Sequence, residues 1–467
     1  MAPSKYRVQC CTYNGHLAKG HKDLNSLASW LAPTLEEGNA AEGEAPDFFA
    51  VGFQEMIPLH LALVGLTRTA LDQHDHQIKS AIEQHTSSNG ERETYTLMAK
   101  QVLGGIALLV FTRDATVTNH VVDVRVATAA CGIFRRMGNK GGVGVRITLN
   151  SEGDESSDSK SSEDGESDTG NNVFTFVTSH LAAHDSGLQR RNEDYQSIAE
   201  RLIFTPNGPS QHYRTQQQRS VFPRIKSKST DGIQIYDTTY LFFFGDLNYR
   251  ISTVTPKSLS KQLIAHKIHN DLPALLTHDQ LRQEQSKGRT LHHLREGEIT
   301  FQPTYKFKVG TVDTYKAFTK RVPGWTDRIL FSCWSDGESG AGEFIKREIL
   351  KSGEVVERSA KRKGAKVELY TSIMSFTGSD HKPVTAIFAL PRHPKGSSGL
   401  RLPFTSPYRI DQGWRRKKLV GKVLDRFVGF WWCIVMLCGL GKDARLGMAT
   451  LVIAATAAYY KRTLLGF

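Results

Sequence analysis

Phe244-Gly245-Asp246-Leu247-Asn248-Tyr249-Arg250 ends an apolar run, Tyr240 to Phe244, with an acid, an amide and an arginine on one short turn. The run reads as a buried strand. A carboxylate and a carboxamide two residues apart at its tip can hold a water against a phosphate, one taking the proton while the other grips an oxygen. Four further apolar runs end in similar chemistry. Val8 to Thr12 leads into Tyr13-Asn14-Gly15, and Phe48 to Phe53 into Gln54-Glu55-Met56. Val173 to Thr178 leads into Ser179-His180-Leu181-Ala182-Ala183-His184, and the Val367 to Phe376 region into Gly378-Ser379-Asp380-His381-Lys382. A buried strand can place a polar group reliably only where it leaves the sheet. Five polar tips of this kind point to one site at one edge of a layered sheet.

A chain of 467 residues can bury a large core, one big domain with appendages. Its formal charge of +13 resembles that of a nucleic-acid binder until it is partitioned. Residues 391–467 hold 14 Lys and Arg against 3 Asp and Glu, leaving 46 against 44 for residues 1–390. The excess belongs to the C-terminal tail, which fits a membrane surface and not a basic nucleic-acid cleft. The six cysteines, Cys10, Cys11, Cys131, Cys333, Cys433 and Cys438, show neither framework spacing nor a CxxC pair, as expected of a reduced, cytosol-facing protein. The first residues, Met1-Ala2-Pro3-Ser4-Lys5, carry no apolar signal core, so secretory entry is not expected. Nothing calls for an obligate protein partner.

Strand and helix patterns alternate from Tyr6 to Leu390 without an internal repeat, and Leu24 to Leu35 is expected as a short helix that Asp23 can cap. Residues 151–172 contain eight acids, one Lys and no apolar side chain, so they are expected as a disordered acidic loop inside the domain. Thr205 to Asp231 and Glu343 to Lys366 are expected as solvated polar loops. Residues 391–414 read as a linker. Beyond it, Arg415-Arg416-Lys417-Lys418 leads into Phe427 to Gly441, fifteen residues without a charge, and after a charged turn Leu446 to Tyr460 makes fifteen more. Fifteen helical residues span about 22 Å, short of a hydrocarbon core of roughly 30 Å. Residues 415–467 are therefore expected to anchor the chain as a hairpin dipping into one leaflet or as one tilted span. Trp431-Trp432 and Tyr459-Tyr460, with basic flanks, suit the interface.

Over residues 6–390 the chain resembles the inositol polyphosphate 5-phosphatases, within the wider superfamily of Mg-dependent endonucleases, exonucleases and phosphatases. Gly245-Asp246-Leu247-Asn248-Tyr249-Arg250, Pro323-Gly324-Trp325-Thr326-Asp327-Arg328 and Ser379-Asp380-His381-Lys382-Pro383-Val384 carry the likeness. Gly138-Asn139-Lys140-Gly141-Gly142, Ser179-His180-Leu181-Ala182-Ala183 and Arg191-Asn192-Glu193-Asp194-Tyr195 agree with it in order. The C-terminal architecture is similar to that of fungal phosphatidylinositol 4,5-bisphosphate 5-phosphatases attached to the endoplasmic reticulum. The resemblance implies an α+β fold, a four-layered αββα sandwich of two packed mixed β-sheets, here followed by membrane-associated helical segments.

It also implies a site. Glu55 would ligate Mg²⁺, which prefers oxygen donors and keeps several waters, with Asp380 in an outer position and Asn14 beside it. Asp246 would activate the attacking water and Asn248 orient the phosphate. His381, held by Asp327, would donate to a phosphate oxygen, and His180 would be a second donor. His184 stays open between contact and packing. Substrate would be gripped by Tyr305 and Lys306 of Pro303-Thr304-Tyr305-Lys306, by Arg321 with Lys320 adjacent, by Arg191 and Asn192, and by Asn139 and Lys140. The implied reaction is removal of the 5-phosphate from phosphatidylinositol 4,5-bisphosphate at a cytosol-facing membrane, the endoplasmic reticulum first among them. A neutral sphingomyelinase-like phosphodiesterase and a nuclease would lack the Pro-Thr-Tyr-Lys and Pro-Gly-Trp-Thr-Asp-Arg signatures. A silent phosphoinositide tether would have no need of the full set of polar tips.

Overall fold

A computed structural model describes residues 5–16, 45–72, 74–88, 91–150, 171–205, 232–252, 271–316, 322–336, 343–349, 355–361, 364–392, 401–439 and 444–465, with Leu31, Leu35 and Ile268. Its first sheet contains β1 (Lys5–Asn14), β2 (Phe48–Gln54), β3 (Tyr95–Leu103), β4 (Ile106–Arg113), β11 (Lys366–Ser372) and β12 (Val384–Pro391). The second contains β5 (Val121–Ala130), β6 (Gly141–Leu149), β7 (Asn172–His180), β8 (Tyr240–Asp246), β9 (Arg295–Glu296) and β10 (Asp327–Cys333). The strand orders are β11-β12-β1-β2-β4-β3 and β9-β10-β8-β7-β6-β5. β1 and β2 are parallel, as are β7 and β8, and their other neighbours are antiparallel, so both sheets are mixed.

Side-chain alternation explains the layering. In β8 every residue is buried, but Phe242 and Phe244 enter the core between the sheets while Leu241 and Phe243 face an outer core. β2 divides its residues likewise, with Phe48 and Ala50 between the sheets and Phe49, Val51 and Phe53 outward. Successive strand residues point to opposite faces, so a strand apolar on both is stable only with a second layer on each side. Each buried Phe contributes about 1.5–3 kcal/mol relative to exposure. The outer cores are closed by helices. α1 (Leu59–Leu63), α2 (Thr67–Asp72) and α3 (Asp75–His85) supply Ala62, Leu71, Ile78 and Ile82 to one. α4 (Leu188–Arg201) supplies Tyr195, Ile198 and Ala199 to the other, and α6 (Gln280–Ser286), which follows α5 (Leu272–Leu276), adds Leu281. The expected four-layered αββα sandwich is the observed one.

Four expectations meet different outcomes. Glu343–Ile349 and Val355–Lys361 form a two-stranded antiparallel ribbon where a polar loop was expected. Charged strands of this kind satisfy their backbone by pairing with each other and need no core. Of the expected helix over Leu24 to Leu35, only Leu31 and Leu35 are described, helical and buried one turn apart in the first outer core. Nearly all of the acidic stretch 151–172, and all but Thr205 of the polar stretch 205–231, lie outside the described residues.

The stretch read as a linker is fastened to the domain. Leu402 is buried and its N–H donates to the Thr238 carbonyl at 2.8 Å, and Asp411 donates to the Glu200 carbonyl at 3.1 Å. Gln234 Nε2 donates to the Tyr408 carbonyl at 3.0 Å, and Phe404 and Tyr408 pack against the outer core. Residues 401–413 thus lead directly into α7 (Trp414–Cys438), against which α8 (Ala444–Leu465) packs. Among the described residues, no helix is long and apolar enough to cross a membrane.

Candidate active site

The strand registers bring the polar tips to one edge. Asp246 is paired with His180 across the parallel β7–β8 ladder and with Asp327 across the antiparallel β8–β10 ladder. Asn14 pairs with Gln54 at the ends of β1 and β2, immediately before Glu55, and β12 begins at Val384, three residues after His381. Strand ends that are adjacent in register must deliver their side chains together. Gly245 is part of this construction: its φ is +136°, and a Cβ there would lie 2.0 Å from the Ser179 carbonyl oxygen. Only glycine permits that approach.

Asp246 sits at the centre. Its Oδ2 accepts from Asn14 Nδ2 at 2.9 Å and lies 3.2 Å from His180 Nε2, while Oδ1 accepts from the Asn248 N–H at 3.1 Å. Asn248 adopts a left-handed φ of 59°, a conformation asparagine tolerates, and its Nδ2 donates to the Leu181 carbonyl at 3.1 Å. Burial pushes the Asp246 carboxyl up, but His180, His381 and Lys140 outweigh it and hold the group far below the ordinary carboxylate range. Asp246 is therefore ionised throughout the physiological range.

His381 is oriented by a second acid. Its Nδ1 lies 2.9 Å from Asp327 Oδ2, which also accepts from Thr304 and Thr326 hydroxyls at 2.7 and 2.8 Å. Burial lowers the imidazole's affinity for a proton, yet Asp327, followed by Asp246 and Asp380, raises it to about 10. With Nδ1 committed to Asp327, the Nε2 proton is the one available to an anion. Asp246, Asp327 and His381 bring ligand atoms within 4.8 Å of one another, a spacing compatible with a metal ion. Asp327's three hydrogen bonds make it the support of the imidazole.

Oxygen donors suited to a hard cation lie elsewhere. Glu55, with a left-handed φ of 51°, extends from the tip of β2 and is one-third exposed. His16 Nδ1 lies between Glu55 Oε2 at 3.5 Å and Asp380 Oδ1 at 3.4 Å. Both Asp380 oxygens are buried without a well-directed hydrogen bond, their charge balanced by Lys306 Nζ at 2.9 Å from Oδ2. Burial would raise the Glu55 carboxyl, but His16, His180, Lys140 and His381 pull it to about 2. Two ionised, under-bonded carboxylates flanking one site fit a small divalent ion that takes one or two carboxylates and keeps its waters. Glu55 and Asp380 are the residues that would hold such a divalent ion.

The residues assigned to substrate divide. Tyr305 packs at a tilt against His381 with ring centres 4.5 Å apart, and Lys306 pairs with Asp380, so both border the site. Lys140 is partly buried, its Nζ against His180 Nε2. Arg191 lies inside the scaffold: its guanidinium donates to the His184 carbonyl at 2.7 Å, to the Ala182 carbonyl at 3.2 Å and to Gln280 Oε1 at 2.7 Å. Asn192 is also committed, to Glu284 at 2.7 Å and to the Tyr249 hydroxyl at 2.8 Å. Asn139 Oδ1 accepts the Ile133 N–H at 2.9 Å and shapes its turn. Lys320 and Arg321 lie outside the described residues. His184 contributes its backbone carbonyl to Arg191.

Two residues were missed. His16, two positions beyond Asn14, bridges the acids, and its N–H donates to Asn14 Oδ1 at 3.0 Å. Arg250 donates to Asn248 Oδ1 and lies over the Tyr305 ring at 4.5 Å, while its buried Nε and Nη1 have no hydrogen-bond partner among the described residues. The available signal was proximity alone: Arg250 follows Asp246 and Asn248 on the same short turn.

This fold and edge constellation agree with the description Endonuclease/Exonuclease/phosphatase family 2, whose sequence model matches residues 11–387. The chain belongs to that family. It is 29% identical over 384 residues to the type II inositol 1,4,5-trisphosphate 5-phosphatase of Mus musculus, covering 82% of this chain and 29% of that protein. Homo sapiens synaptojanin-2 is 30% identical over 370 residues, covering 77% of this chain and 20% of that protein. The chain thus spans under a third of the length of these relatives. Among solved structures, the inositol polyphosphate 5-phosphatase domain of SPsynaptojanin, in complex with inositol (1,4)-bisphosphate and calcium ion, superposes with a TM-score of 0.54 at 23% identity. That superposition covers 91% of this chain and 90% of the domain, and it establishes a shared fold. The family match ends at residue 387, ahead of the strap and the C-terminal helices.

Proposed function

We propose that this chain is a Mg²⁺-dependent phosphomonoesterase that removes the 5-phosphate from inositol phosphate headgroups, with phosphatidylinositol 4,5-bisphosphate as the membrane substrate. One observation carries the reading: the ionised Asp246 and the proton-bearing His381, held by Asp327, come from different sheets and flank the same edge as Glu55 and Asp380. The names of the relatives, inositol 1,4,5-trisphosphate 5-phosphatase among them, support the substrate class.

Phosphoryl transfer to water demands little covalent chemistry and much positioning. Asp246, fixed by Asn14 and Asn248, accepts a hydrogen bond from the attacking water and receives its proton as the oxygen bonds to phosphorus. The bond from phosphorus to the inositol 5-oxygen breaks in line; that oxygen leaves as the free hydroxyl by taking a proton from solvent, and Asp246 returns the proton it received to solvent. His381 donates its Nε2 proton as a hydrogen bond to a non-bridging oxygen, stabilising charge that grows during transfer. Lys306, Lys140 and Arg250 add cations around the anionic substrate. Mg²⁺, when bound, would supply Lewis-acid neutralisation of phosphoryl charge.

The reading extends to a cytosol-facing membrane, the endoplasmic reticulum being the proposed one. On α7, Phe427, Phe430 and Trp431 are at least half exposed and follow a basic stretch, and Val452 and Ile453 on α8 are exposed as well. An apolar helical pair with cationic flanks suits interfacial attachment to anionic lipid. The test is phosphate release by the purified full chain from free inositol 1,4,5-trisphosphate and from vesicles bearing phosphatidylinositol 4,5-bisphosphate, with and without EDTA. Release that EDTA abolishes and Mg²⁺ restores is expected; release indifferent to EDTA would overturn the mechanism.

A further inference from the structure

The C-terminal helix reaches the machinery of the site. Gly138 N–H donates to Asp425 Oδ1 at 2.9 Å, and Asp425 is only 9% exposed in the middle of α7. The helix is brought there by close backbone approach. A Cβ on Gly421 would lie 2.1 Å from the Arg136 carbonyl oxygen, and one on Gly429 would lie 2.8 Å from Leu63 Cβ. Glycine at both positions lets α7 settle against the turn before β6 and against α1. Gly138 is held from its other side too, because a Cβ on Gly104 would come within 2.1 Å of its carbonyl oxygen.

The turn that contains Gly138 is short and internally bonded. Cys131 donates to the Lys140 carbonyl and Gly132 to the Met137 carbonyl, both at 2.9 Å, and Asn139 Oδ1 accepts from Ile133. These bonds tie the two ends of the turn together, so the position of Gly138 and that of Lys140 are linked. Two residues beyond Gly138, Lys140 places its ammonium against His180, which touches Asp246. A helix outside the family match therefore acts, through one amide, on the turn that presents a cation to the central carboxylate.

We propose that Asp425 is a positioning residue for the phosphatase site: by fixing the Gly138 amide it sets the turn that holds Lys140 against His180. This inference rests on the phosphatase reading above. It makes the C-terminal helix a part of the catalytic unit as well as a means of attachment. The charged carboxylate makes a stronger acceptor than a neutral one, and its loss leaves the Gly138 N–H without a partner in a buried place.

The experiment uses the full chain in detergent, Mg²⁺ and free inositol 1,4,5-trisphosphate, so that membrane binding does not enter the readout. Asp425→Leu is expected to lower kcat about tenfold, the equivalent of one charge-assisted hydrogen bond, and Asp425→Asn to recover most of that loss. In a Lys140→Ala background Asp425→Leu is expected to add nothing, because both substitutions act through the same ammonium. Should Asp425→Leu fail to fold, Gly421→Leu, which pushes α7 from Arg136 with the carboxylate intact, is expected to give the same kcat loss and the same non-additivity. Wild-type kcat in the Leu variants, or losses that multiply with Lys140→Ala, would overturn the inference alone. No phosphate release by wild type would overturn the phosphatase reading and the inference with it.

Discussion

The Asn14 carboxamide donates to the Asp246 carboxylate at 2.9 Å, joining the tip of a strand in one sheet to the tip of a strand in the other. The bond spans 232 residues of sequence and occupies the lone pairs of Asp246 that face β1. It leaves the carboxylate with a defined direction from which to meet a water. Asn14→Leu is expected to lower kcat about 10–100-fold with KM little changed, since positioning is lost and binding is not. Steady-state kinetics on a soluble inositol trisphosphate check it; an unchanged kcat would remove Asn14 from the site.

The pH dependence follows from the His381–Asp327 pair. Burial favours the neutral imidazole, but Asp327 and the neighbouring acids raise its proton affinity to about 10, above the ordinary value of 6.5. A raised histidine contributes stability that is complete below pH 6.5 and disappears as pH climbs through about 10. Activity that needs the protonated ring is therefore expected to hold across neutrality and fall on the alkaline side. Asp327→Asn should move that alkaline limb toward neutral pH and cost about 100-fold in kcat/KM at pH 7.5. A profile of kcat/KM against pH checks the shift; an unmoved limb would separate His381 from the reaction.

Glu55 offers its carboxylate to the cation beside His16, at 3.5 Å, and His180, at 3.9 Å. Glu55→Gln keeps the shape and removes the charge. The Mg²⁺ concentration for half-maximal activity is expected to rise by at least the roughly 10–100-fold that loss of an outer-shell partner produces. Activity measured against free Mg²⁺ after chelation reports it. An unchanged Mg²⁺ requirement would place the metal elsewhere.

The exposed aromatics of α7 give the membrane proposal its handle. Phe430 is 62% exposed and Trp431 50%, although the neighbouring Gly429 lies against α1. Replacing both by Asp is expected to cut co-sedimentation with vesicles containing phosphatidylserine at least tenfold, because apolar insertion and electrostatic attraction are both weakened. Undiminished co-sedimentation would assign membrane contact to some other surface.

Much of the site was readable because a buried strand has few places for polar residues. In Phe243-Phe244-Gly245-Asp246, and likewise before Glu55 and His180, local composition alone marks where the chain leaves the sheet. The resemblance then paired Asp327 with His381, and the packing of one sheet on the other brings the two side chains together. Arg191 and Asn192 illustrate where such reading stops. A sequence displays a guanidinium and an amide, but their hydrogen bonds to His184, Gln280, Glu284 and Tyr249 exist only once α4 and α6 are packed.

Apolar runs with polar ends marked by themselves one chemical edge on a layered sheet, because strand composition is a local property, and the motifs they carry implied the two-sheet sandwich through the family resemblance. Only tertiary structure decided that His16 lies between Glu55 and Asp380, that Arg250 keeps donors uncommitted, and that Asp425 of the last helices accepts from Gly138. Those relationships depend on how separate layers pack, and on backbones approaching where a side chain would not fit.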